Sequence, residues 1–334
     1  MGSVCNRTRT MPAPAFSIRP INKENKSPMK DKPKAMVLAS FAADSLALGA
    51  HWIYNTRVID KKFGRVEHFL KPERPTYHPT KDRGEFTHYG DQALILLESV
   101  AECDGFDLPD FSERWQKLFE DYDGYVDGAT KGTLENLASA TSPSDAGSNS
   151  DDLAGAARIA SLVYVYRNDL PELIASAKSQ TAFTHNHAQV INCAAFFATV
   201  AYQILAGNAP VAAMVQAQKD EFDSEPIKKW IRMGLESAEA DSRQAILDFG
   251  QMCEIPAAFP GVVHLIAKYE NDLKTALVEN VMAGGDSAGR GLLVGLVLGA
   301  HLGMKAIPPE WLNDMKAYPR ILDMLVRIDK RRGF

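Results

Sequence analysis

The 334-residue sequence predicts an all-α fold around one core. Three observations carry that prediction. Apolar residues recur at helical spacing along most of the chain. No run of alternating β-branched residues ends in a hairpin dipeptide. Gly and Pro fall between the periodic segments, at Pro72–Pro79, Pro256–Gly261 and Pro308–Pro309. With 46% apolar and 24% charged residues, the composition is that of a globular protein and excludes collagen, coiled coil and wholesale disorder. No internal repeat or separating linker breaks the body, so a single domain is expected over 35–334.

The N-terminal 34 residues read differently. They hold eight Lys/Arg against two Asp/Glu and are rich in Pro, Ser and Asn. Such a segment buries too little apolar surface to offset its ordering entropy, and a disordered basic tail is expected over 1–34. Arg7, Arg9 and Arg19 without an acid in the first 23 residues fit either a solvated leader or a mitochondrial presequence. Met1-Gly2-Ser3 opens like a myristoylation signal, but Asn6 stands where Ser or Thr is wanted. The remaining residues hold 29 Lys/Arg against 40 Asp/Glu. An acidic body argues against nucleic acid as a partner, because phosphates need clustered cations. Cys5, Cys103, Cys193 and Cys253 form no Cys-x-x-Cys pair, so neither a disulfide framework nor a cysteine zinc site is indicated. Without a secretory h-region, a cytoplasmic location is expected, with the mitochondrion as the alternative. The longest apolar run, Gly291–Ala300, has ten residues, short of the roughly 20 a bilayer needs. No membrane span is expected, and the sequence leaves the oligomeric state open.

Helical periodicity begins at Lys34, with Met36, Val37, Phe41 and Leu48 among small residues. It returns at Ala93–Val100, Phe111–Tyr122, Leu153–Tyr166, Ile191–Ile204, Pro226–Ala238, Leu273–Val281, Leu292–Leu302 and Ile321–Ile328. Ala39, Ala42, Ala43, Ala47 and Gly295 are small enough for close helix approach. Thr141–Asp152 is a polar loop whose last residues can cap the next helix.

Four stretches carry chemistry. In Ala42–Trp52, Asp44 stands inside an apolar helix, where it needs a partner or a solvent-facing position. In Thr87-His88-Tyr89-Gly90-Asp91-Gln92, Asp91 either favours the following helix dipole or joins an imidazole in a cleft. In Thr181–His187, His185 and His187 do not share a helical face, so a metal pair is weakly signalled; a loop before the next helix offers one imidazole. In Gly284-Gly285-Asp286-Ser287-Ala288-Gly289-Arg290, the glycines permit positive φ, and Asp286 or Ser287 is a natural N-cap. That turn can cap only, cradle a phosphate, or aim a carboxylate at a hard cation. It is neither a P-loop nor a Rossmann fingerprint.

The order of these stretches resembles the ADP-ribosylglycohydrolase superfamily over about residues 34–320. The elements are Ala43-Asp44 through Gly49-Ala50, Gly90-Asp91-Gln92, Ser148–Arg158, Thr184–His187 and Gly284–Ser287. The Ala43–Tyr54 and Thr87–Gln92 elements are similar to the branch of jellyfish lens J-type crystallins and vertebrate selenoprotein J. The resemblance implies a single-domain orthogonal multi-helix bundle with a central cleft. It also implies magnesium-assisted hydrolysis of the bond between ADP-ribose and its acceptor. Asp91 and Asp286 would then serve as catalytic acids and metal ligands. Asp44, His88, Tyr89, Gly90, His185, Gly285 and Ser287 would contact ADP-ribose or an ADP-ribosylated substrate.

Departures from the family pattern change the expectation. The acid and Thr expected after Asp286 are Ala288 and Gly289, without side-chain oxygens. If the chain is aligned on Gln92, His88-Tyr89-Gly90-Asp91 replaces Thr-Asp-Asp-Thr, and a slip of one residue still breaks the acid pair. So few carboxylates imply one Mg2+ or none rather than two. His88, Tyr89, His185 and Arg290 would fill the space. Two readings stay open: a hydrolase with a degenerate metal site, and an inactive ligand-binding or crystallin-like structural member.

Overall fold

The computed structural model describes residues 28–223 and 225–334. Residues 1–27, most of the expected disordered tail, lie outside the described residues. Among the described residues there are helices and no β-strand, only two isolated bridges, Ser148 with His185 and Asp152 with Glu254. The all-α expectation holds. The first helix, Pro28–Ala47, starts inside the segment expected to be disordered.

The helix pair at the centre positions everything else. Pro28–Ala47 lies along Ser287–Leu302, and their contact is built from small residues. A Cβ on Gly299 would meet the Ala35 carbonyl at 2.7 Å, and one on Gly295 would overlap the Ala39 carbonyl. Gly291 faces Ala43 in the same way, and the Ser40 hydroxyl donates to the Leu292 carbonyl at 2.8 Å. Bare glycines let the two backbones come within reach of each other, so dispersion contacts are dense. Ala39, Ala43 and Gly295 do what their size suggested. Ala188–Leu205, Ile255–Lys268 and Leu273–Met282 pack around this pair. Ala188–Leu205 has the length and hydropathy that crossing a bilayer would need, but 61% of it is buried in the bundle, as in a core helix.

Several local expectations are corrected. The segment Leu153–Tyr166 is two short helices, Ala154–Ala157 and Ala160–Val165, rather than one. Pro256–Gly261 does not separate elements: Pro256 sits in the first turn of Ile255–Lys268, where a missing N–H costs nothing, and Pro260 lies within that helix. His88–Asp91 is the first turn of helix His88–Cys103, not a loop before it, because Thr87 takes the N-cap and accepts from the Tyr89 N–H. Thr181–Thr184 closes helix Leu170–Thr184, so His185 is its C-cap and His187 the N-cap of the next helix.

Candidate active site

The central helix pair brings the end of the first helix against the start of Ser287–Leu302. There a backbone clasp forms. The Trp52 N–H donates to the Gly285 carbonyl at 2.9 Å, and the Gly285 N–H to the Ile53 carbonyl at 3.0 Å. Gly284 and Gly285 have φ of 73° and 65°, and a Cβ on Gly285 would overlap the Gln251 carbonyl, so this turn requires glycine. Trp52 also has a positive φ, 62°, an unusual conformation for a bulky residue that the clasp imposes. Arg290, fully buried, donates to the Gly284 carbonyl at 2.5 Å and to Asn280 Oδ1 at 3.1 Å, locking the turn from behind.

Across the clasp, His51 Nε2 lies 2.9 Å from Asp286 Oδ1, and His51 Nδ1 lies 2.8 Å from His78 Nε2. Burial lowers the His51 pKa and, with His51 and His88 adding, pushes that of His78 down to about 2. Both imidazoles are therefore neutral, and one assignment satisfies both bonds: His78 Nε2–H donates to His51, and His51 Nε2–H donates to Asp286. Burial raises the Asp286 carboxyl, but His51 and Arg290 outweigh it and hold the acid below its usual range. Asp286 Oδ1 also accepts from the Gly289 N–H at 3.3 Å, the expected N-cap.

An aromatic cluster surrounds this relay. Trp52 stacks on His51 with centroids 4.3 Å apart and meets Tyr125 edge-on at 5.0 Å. His88 packs on Tyr89 at 4.0 Å and on Tyr125 at 5.2 Å. The neighbours His88 and Tyr89, at the start of their helix, each reach an acid from another segment. His88 Nε2 lies 3.2 Å from Asp127 Oδ2, and the Tyr89 hydroxyl donates to Asp152 Oδ2 at 3.3 Å. Asp127 N-caps helix Gly128–Ala138 through the Thr130 N–H at 2.6 Å. Asp152 Oδ1 accepts from the Ala154 N–H at 2.8 Å. Both acids line a cleft of about 390 Å³, together with Ser148, Ser150, Asp151, Cys253 and Glu254. Burial raises the pKa of each acid. For Asp127, His88, His185 and the Thr130 N–H reverse this and hold it well below its usual range; for Asp152, the charge of Asp286 adds, and the pKa stands well above it.

The expected site residues divide into two groups. His88, Tyr89 and Asp286 belong to this network. His185 is buried with its Nδ1 2.9 Å from the Thr184 hydroxyl, and a Cβ on Gly155 would meet its ring at 2.5 Å. Burial and Arg158 lower its pKa to about 3. The others brace the scaffold. Both Asp44 oxygens are engaged by Thr87, accepting its N–H at 2.7 Å and its hydroxyl at 2.6 Å. Asp44 is thus tied to the start of helix His88–Cys103, and burial raises its carboxyl to about 7. Gly90 lies against Asp44, where a Cβ would meet Phe86 at 2.8 Å. Asp91 pairs with Lys81 at 2.5 Å and accepts from the Tyr122 hydroxyl at 2.6 Å. Asp91 and Asp286 were expected to meet in one pocket, but they share no hydrogen-bond partner. Gly285 and Ser287 are buried in the clasp.

Sequence reasoning missed His51, His78, Asp127 and Asp152 as site residues. Asp127 carried no signal in the sequence, Asp152 ended a polar loop read as capping the next helix, and His78 stood in a Pro-rich stretch read as punctuation. Asp127 does cap its helix, and Asp152 accepts from the Ala154 N–H just inside the next one, whose N-cap is Leu153.

The donor chemistry tests a magnesium pair. Asp286 Oδ2 and the Ser287 hydroxyl are buried without a hydrogen-bond partner, which offers two oxygens. Their surroundings are imidazoles and Arg290, while Ala288 and Gly289 offer no side-chain oxygen. Magnesium demands near-octahedral oxygen ligands, so the residues present do not fit a pair of such ions. Among the described residues, no three His, Cys, Asp or Glu side chains are placed to hold a metal ion.

Comparison with known proteins fits this architecture. The family model for ADP-ribosylglycohydrolase matches residues 25–333. Crystallin J1A of Tripedalia cystophora is 24% identical over 85% of this chain and 92% of its own length. Crystallin J1B of the same animal is 23% identical over 91% of this chain and 98% of its own. A solved structure titled as an ADP-ribosylglycohydrolase-related protein complex superposes with a TM-score of 0.73 at 22% identity, covering 91% of this chain and 99% of that one.

Proposed function

The chain belongs to the ADP-ribosylglycohydrolase family, and we propose that it binds ADP-ribose or a related nucleotide-ribose in the cleft and hydrolyses its glycosidic bond at a site whose metal-binding set is reduced. The observation that carries this reading is the cleft itself. Its volume of about 390 Å³ suits a small ligand, and Asp127, Asp151, Asp152 and Glu254 line it together. Such a concentration of carboxylates favours the positive charge that develops on a sugar ring as a glycosidic bond breaks. The Ser148 and Ser150 side chains are neutral polar groups of the same lining, suited to sugar hydroxyls.

A second reading is a family member that binds such a ligand without turnover or serves as a structural protein. The similarity to two crystallins over most of the chain favours it.

Calorimetric titration with ADP-ribose, followed by an assay for ADP-ribose release from Ser- and Arg-linked ADP-ribosyl peptides, separates the two. Binding with release supports hydrolysis. Binding without release supports the second reading, and no binding removes the cleft as a nucleotide-ribose site.

A further inference from the structure

We propose that Asp127 and Asp152, both on the cleft lining and contacted by the consecutive residues His88 and Tyr89, are a carboxyl pair that hydrolyses the glycosidic bond without a divalent cation. This rests on the reading of the cleft given above and assigns its chemistry.

The two acids come from segments 25 residues apart in sequence, yet one short element grips both. Each has one oxygen fixed by a backbone N–H, Asp127 by Thr130 and Asp152 by Ala154. Each has its other oxygen against a ring, Asp127 at His88 and Asp152 at Tyr89. Both carboxyls are thereby held in defined orientations before any ligand arrives, which is what positioned acid–base chemistry needs. Both also line the open cleft, which Asp286, Asp91 and Asp44 do not. A buried polar bond to a ring costs less than stranding a second charge, and consecutive ring residues are an economical way to hold two acids apart in role.

Their surroundings separate those roles. His88 beside Asp127 favours its ionised form, whereas burial and the charge of Asp286 favour the protonated form of Asp152. Two carboxyls whose surroundings push them in opposite directions are the usual arrangement of a base and an acid. In the step, Asp152 gives its proton to the leaving oxygen or nitrogen as the bond from that atom to the anomeric carbon breaks. A water oxygen forms the new bond to the same carbon and loses a proton to Asp127. One water is consumed, the two carboxyls end with exchanged protonation, and proton exchange with solvent in the cleft restores them.

Asp127→Asn and Asp152→Asn test this in the full chain. Asn keeps the shape and the backbone caps, so both variants are expected to bind ADP-ribose within about threefold of the parent. Release of ADP-ribose from the linked peptides is expected to proceed unchanged in EDTA and to fall about 100-fold or more in either variant. A substrate with a 4-nitrophenolate leaving group needs no proton from an acid. On it Asp152→Asn should recover most of the parent rate, and Asp127→Asn should not. Release that EDTA abolishes and magnesium restores overturns the proposal. So does parental turnover in both variants, or ADP-ribose binding with no turnover of any of these substrates. Absence of ADP-ribose binding in the parent instead overturns the reading of the cleft on which the pair depends.

Discussion

His51 Nε2 and Asp286 Oδ1 lie 2.9 Å apart with both side chains sealed from solvent, joining the end of the first helix to the start of Ser287–Leu302 across 235 residues of sequence. The bond does for the side chains what the Trp52–Gly285 clasp does for the backbone.

Removing one partner of this bond strands the other. His51→Ala leaves the Asp286 carboxylate buried beside Arg290 without the imidazole donor, and a loss of about 1.5–3 kcal/mol is expected. Urea unfolding of the parent and variant measures it. A loss below about 1 kcal/mol would mean that solvent enters and takes the place of the imidazole.

Asp44 gives a signed pH dependence. Its carboxyl is raised from 3.8 to about 7 by burial, against the pull of Thr87. Between those values the folded chain holds a proton that the unfolded chain has released. The contribution of this group to stability is therefore greatest below pH 4, declines as pH rises towards 7 and is flat above. Asp44→Asn, which still accepts from the Thr87 N–H, should lose that decline. The check is the difference in unfolding free energy between parent and variant at pH 4.5 and 7.5. If that difference does not change with pH, Asp44 titrates normally.

Two glycines in helices should respond oppositely to alanine. Propensity alone favours the change by about 1 kcal/mol. At Gly295 the new methyl would overlap the Ala39 carbonyl, so Gly295→Ala should destabilise by about 1–3 kcal/mol as the central pair is wedged apart. At Gly128 nothing lies within 4 Å of the new methyl, and a gain of about 0.4–1 kcal/mol is expected. Thermal melts of both variants decide this, and a stabilised Gly295→Ala would show that the helices have slack.

Arg290→Lys tests the lock behind the glycine turn. The guanidinium reaches the Gly284 carbonyl and Asn280 Oδ1 from separate nitrogens, a fork that an ammonium cannot reproduce. A loss of about 1.5–3 kcal/mol is expected, with weaker ADP-ribose binding because the clasp that holds His51 loosens. Equal binding and stability in the variant would show that the turn holds itself.

Much of the scaffold is legible along the chain. The spacing of Ala39 and Ala43 and the bare Gly295 announce a close helix contact, because small residues at helical period have few other uses. Asp286 reads as a cap from its place between paired glycines and an apolar helix, and it is one. The site is less legible. Asp127 caps a helix and Asp152 accepts from the Ala154 N–H, and those local roles account for them until Thr87 starts a helix early enough to turn His88 and Tyr89 towards them. Asp44 and Asp91 look functional for the opposite reason: an acid near apolar residues advertises a need for a partner but not which partner answers it.

What the amino-acid order determines by itself is the helical class, the small-residue contact and the family pattern, since each follows from spacing within a few turns. Which acids face the cleft is decided only by folding. Thr87, Lys81 and Tyr122 consume the expected carboxylates, while His88 and Tyr89 present two others. Pairing between distant segments depends on how helices cross, and a carboxylate can meet a ligand only where the fold leaves it on the cleft lining.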